Sequence, residues 1–366
     1  MQASLFTTNS EKEVTMKTSA KKWIKFCVSA VIVVITLWLL QCLLLPKYVA
    51  GTVEGAFIAE YYDEVKDHDV IFVGDCEVYE NFSPIVLWRD YGINSYIRGS
   101  AEQYVFQSYY ILEDTLRYET PDAVIFNIQS LCFPESRNEA YNRMSIEGMK
   151  WSSSKVNSIF ASMREEERFL DYVFPILRYH SRWEQLKSDD FEYMFKTKKV
   201  SHNGYYMRVD VRPAENVPTG KPLADYSFDS RSIKYLDMMR ELCAKKGVEL
   251  ILIKAPSLYP YWYEEWDLQI KDYADKNELK YINFLELTKE TGIDYNTDTY
   301  DAGLHMNLAG AEKLSRWLGE YLTTELGLED RRTEKELAAR WEEKIDFYEA
   351  EKKYQYELYG MNEKAD

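Results

Sequence analysis

Five short apolar runs alternate with longer amphipathic segments, and this alternation restricts the possible fold more than any other feature of the chain. The runs have the length of buried strands and cover 69–74, 93–97, 122–128, 248–254 and 280–284. The segments with helical periodicity cover 101–118, 229–246, 262–277 and 308–325. Strands that alternate with helices form a parallel sheet covered by helices on both faces. The sequence therefore predicts an α/β protein with a central parallel sheet.

The alternation stops between 131 and 228, where helical segments are followed by an irregular stretch. We interpret 131–228 as a helical insertion that divides the sheet domain into 47–130 and 229–327. Two interpretations of the insertion remain open, a cap over the active face and a separate helical subdomain. The tail, 328–366, is predicted to contain a charged C-terminal helix.

A run of twenty uncharged residues, 26–45, is long enough to cross the hydrocarbon core of a bilayer. The four lysines nearest to it on its N-terminal side are Lys17, Lys21, Lys22 and Lys25. The positive-inside rule then predicts a single-pass protein of the cell membrane, with 1–25 in the cytoplasm, an anchor over 26–46 and the main domain outside. The alternative, a cleaved signal peptide, would require a shorter apolar run and a better cleavage site than Tyr48-Val49-Ala50.

Composition and motifs exclude several classes of function. The formal net charge of −16 disfavours nucleic acids and anionic membrane surfaces as general partners. The nucleotide-binding and zinc-binding motifs G-x-x-x-x-G-K-[ST], G-x-G-x-x-G, H-E-x-x-H and C-x-x-C do not occur in the chain. We therefore expect no cofactor, no metal and no nucleic acid.

A cysteine and a histidine stand where a covalent acyl-transfer reaction would need its nucleophile and its base. Cys76 follows Gly74-Asp75 at the end of the first predicted strand, the edge at which parallel sheets bind their ligands. His305 is one of four histidines and lies on an acidic, glycine-containing loop just before the last predicted helix. Asp301 or Asp298 could orient its ring.

Three short motifs together resemble blocks one, two and five of the SGNH/GDSL hydrolase superfamily. They are Gly74-Asp75-Cys76-Glu77, Gly99 in YIRGS, and DAGLHMNLAGAEKL, which contains Asp301 and His305. The phrases FPILRYHSRWEQL and LIKAPS are similar to membrane-anchored SGNH-like proteins of Gram-positive bacteria, relatives of the D-alanyl transfer protein of teichoic-acid modification and of alginate O-acetylation proteins. The resemblance spans about residues 69–325 and depends on the order of motifs that are individually weak.

The resemblance implies a flavodoxin-like three-layer αβα sandwich with Cys76 as nucleophile, His305 as general base and Asp301 as the residue that orients it. The backbone N–H groups of Cys76 and Gly99 would form the oxyanion hole. The sequence departs from the family in three respects. Cysteine replaces the usual serine, four positions instead of three separate the acid from the base, and the block-three signature is missing. Asn127 or Gln129 would then supply the side-chain donor, and Asp298 is the alternative acid.

The resemblance also implies a function on the cell envelope. We expect an acyl-ester hydrolase or O-acyltransferase that acts on an envelope glycopolymer through a thioester on Cys76, with a membrane-bound O-acyltransferase as a possible partner. Arg178, His180 and Arg182 are candidates for contact with an anionic substrate. The alternatives are an inactive scaffold or glycan-binding component, and a structural Cys76–Cys132 disulfide, which would abolish nucleophilic activity.

Overall fold

The computed structural model describes residues 3–46, 57–195 and 199–361, with side chains from 21 onward. The chain forms two compact units, one made of Met1–Lys47 and Leu170–Lys196 and the other of Tyr48–Phe169 and Thr197–Asp366. The predicted start of the sheet domain at residue 47 and the last five residues of the predicted C-terminal segment lie outside the described residues.

The larger unit contains a five-stranded sheet in which every strand pair is parallel. The strands are β1 Val70–Gly74, β2 Ser95–Gly99, β3 Ala123–Asn127, β4 Glu249–Lys254 and β5 Lys280–Asn283. All five lie on the predicted apolar runs, although β2 begins and ends two residues later than predicted. The order β2-β1-β3-β4-β5 is the flavodoxin-like arrangement. The predicted α/β fold class is therefore confirmed.

The helices are α1 Ala3–Leu44, α2 Phe57–Glu60, α3 Cys76–Tyr79, α4 Pro84–Tyr91, α5 Val105–Thr115, α6 Glu139–Glu147, α7 Ser153–Ser162, α8 Phe169–Val173, α9 Ile176–Tyr179, α10 Ser188–Glu192, α11 Ser230–Lys246, α12 Glu264–Lys276, α13 Thr288–Thr291, α14 Leu308–Glu325 and α15 Lys335–Tyr359. Short 3₁₀ turns cover Tyr61–Asp63, Ile128–Cys132 and His180–Gln185. The four predicted helical segments correspond to α5, α11, α12 and α14.

Successive residues of β1 point to opposite faces of the sheet, as the pleat of a strand requires. Val70 and Phe72 pack into one buried cluster with residues of α4, α14 and α15, where the rings of Trp88 and Trp341 stack at 5.2 Å. Ile71 and Val73 pack into the other cluster with residues of α5, α11 and α12. The sheet is thus buried on both sides, which accounts for its nearly continuous apolar strands.

The smaller unit consists of α1 and the segment 170–196, which includes α9 and α10. Within α1, Lys21–Leu44 forms a helical stretch long and apolar enough to cross a membrane. The predicted insertion, 131–228, is divided between the two units, because 131–169 and 197–228 belong to the sheet unit.

Candidate active site

Cys76 lies just beyond the carboxyl end of β1, where the chain turns sharply into α3. Gly74 makes the turn with a φ of +153°, and a Cβ on it would come within 3.1 Å of Val78 Cγ1 and 3.2 Å of Asn127 Cβ. Asp75 caps α3 by accepting a hydrogen bond from the backbone N–H of Glu77 at 3.1 Å. Cys76 is the first residue of this helix and its side chain is half-buried.

His305 is fixed by the loop that precedes α14. Asp301 Oδ1 accepts the backbone N–H of His305 at 2.8 Å, and Asp301 Oδ2 lies 2.6 Å from His305 Nδ1. The chain can return so closely because Ala302 and Gly303 both have positive φ values, of 69° and 98°. A four-residue separation of acid and base therefore places the carboxylate against the imidazole.

Asp298, the alternative acid, makes different contacts. Its Oδ2 accepts the Lys313 ammonium at 2.6 Å and the backbone N–H of Asp294 at 2.7 Å. The structure thus places Asp301, and not Asp298, beside the imidazole of His305.

A second carboxylate, Glu80, also faces the imidazole, which the sequence did not lead us to expect. Its Oε2 lies 3.7 Å from His305 Nδ1, and it accepts a hydrogen bond from the Tyr300 hydroxyl. The Tyr300 and His305 rings stack with their centroids 6.0 Å apart. Glu80 follows Cys76 by one helical turn, but that i, i+4 spacing places the two on one face only once the residues after β1 are known to form a helix.

The environment sets the protonation of the pair formed by Cys76 and His305. Burial raises the pKa of the Cys76 thiol to about 12, although the nearby imidazole of His305 acts to lower it. Burial alone would lower the pKa of His305, but the negative charge of Glu80 and the hydrogen bond to Asp301 raise that pKa well above its ordinary value. Both shifts favour the protonated forms near neutral pH, a neutral thiol beside an imidazolium ion.

This protonation state predicts that the reactivity of Cys76 rises toward alkaline pH. Iodoacetamide reacts with the thiolate, and the charge of Glu80 acts to raise the pKa of the Cys76 thiol as well as that of His305. Glu80→Gln removes a charge that holds the proton on His305, and it should shift the pH profile of Cys76 alkylation by iodoacetamide to lower pH. We expect the rate at pH 7 to rise several-fold, as measured by mass spectrometry of the alkylated Cys76 peptide.

Tyr300→Phe is the matched control for this prediction. It removes the hydroxyl that donates to Glu80 but leaves the Glu80 charge in place. We expect a smaller shift of the profile than Glu80→Gln produces. A profile that Glu80→Gln leaves unchanged, or moves to higher pH, would contradict the role assigned to this carboxylate.

Cys76 and His305 line one cavity of about 420 Å³ at the carboxyl edge of the sheet. Loops after β1, β2 and β3 and the loop before α14 all contribute to its wall. Five carboxylic acids lie among the lining residues, and Arg137 is the one Lys or Arg side chain among the lining residues that the structure describes. Five aromatic side chains also line it, namely Tyr79, Tyr104, Phe133, Tyr141 and Tyr300.

Several buried polar atoms on this cavity have no hydrogen-bond partner within the described part of the chain. They are both amide atoms of Gln129, Ser130 Oγ, Glu77 Oε1 and His305 Nε2. Each unpaired buried polar group costs about 1–3 kcal/mol, so a bound polar molecule that satisfied several of them would be stabilised. This cluster is the strongest local indication of a ligand site.

The side chain of Asn127, one of the predicted oxyanion donors, is fully engaged in hydrogen bonds and does not line the cavity. Its amide donates to Asp75 Oδ1 at 3.0 Å and to Glu77 Oε2 at 3.1 Å, and its oxygen accepts the backbone N–H of Ala255 at 3.1 Å. Lys254 completes this buried network with an ion pair to Glu77 Oε2 at 3.1 Å. Burial and the charge of Glu77 raise the pKa of Asp75 to about 7.

The other predicted site residues are placed as follows. Gly99 pairs with Gly74 in the sheet, and the cavity wall on that side is formed by 101–104. Arg178, His180 and Arg182 do not line the cavity but lie in the segment that packs with α1. Cys76 and Cys132 are both free thiols, so the structure contains no disulfide between them.

Comparison with known proteins finds no matching family model. No curated protein matches the chain significantly. Among solved structures, the chain is similar to a protein of Bacteroides fragilis NCTC 9343 provisionally assigned as an acylhydrolase, at 12% identity and a TM-score of 0.37, over 73% of this chain and 95% of that one. It is also similar to a GDSL-like lipase of Bacteroides thetaiotaomicron VPI-5482, at 11% identity and a TM-score of 0.35, over 75% and 98% of the two chains.

Proposed function

We propose that this protein is an acyl-ester hydrolase or O-acyltransferase of the SGNH/GDSL type that uses Cys76 as its nucleophile. The observation that carries the proposal is the convergence of Cys76, His305 and Asp301 on one cavity, with Asp301 Oδ2 2.6 Å from His305 Nδ1. Nucleophile, base and orienting acid are the three groups that covalent acyl transfer requires.

The reaction proceeds in two steps. The sulfur of Cys76 attacks the ester carbonyl carbon while its proton passes to neutral His305, and the departing alcohol takes that proton to leave a thioester on Cys76. Water or an acceptor hydroxyl then attacks the thioester, its proton passes through His305 to the sulfur, and the acid or the new ester is released. Asp301 holds the imidazole ring in the orientation that both steps need.

The oxyanion is stabilised by the backbone N–H groups of Cys76 and Gly99 and by the side-chain amide of Gln129. Of the two candidate side-chain donors we assign this role to Gln129, because the amide of Asn127 donates to Asp75 and Glu77. Support for Gln129 comes from its buried, unpartnered amide on the cavity.

The substrate is a neutral sugar ester of an envelope glycopolymer. Five carboxylic acids on the cavity disfavour a phosphate-rich polymer, and the aromatic side chains favour stacking on sugar rings. The chain would carry out this reaction outside the cell, anchored through Lys21–Leu44 with its N-terminus in the cytoplasm. A membrane-bound O-acyltransferase would supply the acyl group.

A second candidate function is binding without catalysis, as the glycan-binding component of an envelope-modifying complex. What favours it is the direction of the two pKa shifts, because a raised thiol pKa and a raised imidazole pKa both reduce the amounts of thiolate and of neutral base near pH 7. The two functions differ in how they respond to alkaline pH, because only the enzyme gains activity as His305 loses its proton.

The test is hydrolysis of 4-nitrophenyl acetate by the full-length chain in detergent micelles, at neutral and alkaline pH, before and after alkylation of Cys76. We expect activity that rises with pH, is lost on alkylation and is absent in Cys76→Ala. Cys132→Ala, which changes a half-buried free thiol outside the cavity lining, is the matched control and should retain activity. Equal rates for wild type and Cys76→Ala at both pH values would leave the binding function as the better conclusion.

A further inference from the structure

The segment 170–195 exposes large apolar side chains at an unusual density. Six are exposed within these 26 residues: Leu170, Phe174, Leu177, Trp183, Phe191 and Phe195. The much longer ranges 57–169 and 199–361 together expose twelve. A water-soluble surface rarely concentrates apolar side chains in this way, and such a patch indicates a surface that binds something apolar.

This segment packs on one end of the candidate membrane helix. Residues 21–40 of α1 are exposed, whereas 41–46 are shielded and Leu44 is buried. The elements of 170–195 that contact α1 are α9, α10 and the turn His180–Gln185. Arg182 donates to the backbone oxygen of Leu44 at 3.1 Å and to Asp190 Oδ1 at 2.7 Å, which ties the end of α1 to the segment.

One contact reports how far the segment extends along the helix. The ring of Phe195 stacks on Trp38 with the centroids 5.6 Å apart. Trp38 precedes Leu44 by six residues, which is about 9 Å of helix axis. The 24 residues of Lys21–Leu44 span about 36 Å, only a few Å more than a hydrocarbon core of about 30 Å. Phe195 therefore reaches the depth of the acyl chains if α1 crosses the bilayer.

We propose that 170–195 is a second membrane contact, which lies in the boundary between headgroups and acyl chains of the leaflet at the Leu44 end of α1. The inference rests on the membrane placement given under the proposed function. Its exposed Phe, Leu and Trp side chains enter the apolar region, as amphipathic segments at interfaces do. Interfacial aromatic residues anchor a protein at this depth, and Trp183 is 64% exposed.

Lipid is a better occupant for the exposed apolar face of 170–195 than a protein partner, because this face continues the exposed surface of α1 residues 21–40.

The charge of 170–195 indicates which kind of lipid contact to expect. Five carboxylic acids, Asp171, Glu184, Asp189, Asp190 and Glu192, outnumber the three basic residues Arg178, Arg182 and Lys187. Binding should therefore depend on apolar insertion and not on anionic lipid.

The test is photolabelling of the full-length chain in phosphatidylcholine vesicles by a diazirine carbene precursor that partitions into acyl chains, with adducts mapped by mass spectrometry. We expect adducts in both 21–44 and 170–195. Tyr354, Leu358 and Tyr359 of α15 are similarly exposed and measure the label that reaches apolar side chains through water. Peptides that contain them should carry several-fold fewer adducts, and vesicles with added anionic lipid should give the same pattern.

The outcomes separate this inference from the proposal on which it rests. Adducts in 21–44 with 170–195 at the level of the α15 peptides would overturn the inference and leave the face for a protein partner. Absence of adducts from 21–44 would overturn the membrane placement itself. The variant F174S/L177S/W183S/F191S should lose label in 170–195 several-fold, with label in 21–44 and alkylation of Cys76 unchanged. The control variant Y354S/L358S/Y359S should retain the wild-type pattern in 170–195.

Discussion

His305→Asn is expected to lower kcat/KM for ester hydrolysis by about 10³–10⁴-fold, because the base and the proton carrier for the leaving group are lost together. Asp301→Asn should cause a smaller but still large loss, since an amide can no longer hold Nδ1–H in the orientation that the carboxylate enforces at 2.6 Å. The measurement is the pH profile of kcat/KM for 4-nitrophenyl acetate, taken on the full-length chain.

Asp298→Asn is the matched control for Asp301→Asn. Both are aspartates of the same loop, but Asp298 binds Lys313 and the backbone of Asp294. We expect Asp298→Asn to lower the free energy of unfolding while kcat/KM stays within a few-fold of wild type. If Asp298→Asn reduces kcat/KM as much as Asp301→Asn does, the role of Asp301 as the orienting acid is contradicted. The loss of activity would then come from a disturbance of the whole loop.

Lys254→Met is expected to lower the free energy of unfolding by about 3–5 kcal/mol, because it leaves a buried carboxylate without its partner. The side chains of Lys254 and Glu77 are 0% and 1% exposed, and their ion pair measures 3.1 Å. Asp75 lies in the same network through Asn127, so the unpaired charge would have a second carboxyl group beside it. Urea denaturation followed by near-ultraviolet circular dichroism measures the change.

Lys280→Met tests whether burial, and not loss of a lysine as such, is responsible. Lys280 lies on the neighbouring strand β5 and pairs with Glu249 at 2.6 Å, but both side chains are more than a third exposed. Exposed pairs contribute roughly 0–1 kcal/mol. A Lys254→Met variant no less stable than Lys280→Met would show that the network below Cys76 does not support the fold.

The positions of the strands could be predicted because a sheet buried on both faces requires continuous apolar runs such as VIFVG. The sequence pattern does not predict helix α4, because burial on all sides also hides the period of a helix. It has only eight residues, and all of Pro84–Trp88 is buried, so no polar face reveals a helical period. The shift of β2 reflects its pairing with β1, which continues to Gly74 and Gly99.

The meeting of Cys76 and His305 could be predicted because loops after parallel strands share one edge of the sheet. The contact of Glu80 with His305 could not be predicted, because the position of Glu80 depends on the direction in which the short helix α3 leaves β1. The segment that carries Arg178, His180 and Arg182 was assigned to the insertion because an amphipathic pattern identifies an apolar face but not the surface that covers it. Its association with α1 joins parts of the chain more than a hundred residues apart.

With the proposed placement outside the cell, the raised pKa of the Cys76 thiol would affect how long the protein stays active. Peroxides and disulfides react with thiolates far faster than with thiols. A sulfur that keeps its proton until a substrate arrives is shielded from sulfenic acid formation and from mixed disulfides with passing molecules. The burial that slows the proposed nucleophile would therefore also lengthen its lifetime in an oxidising medium.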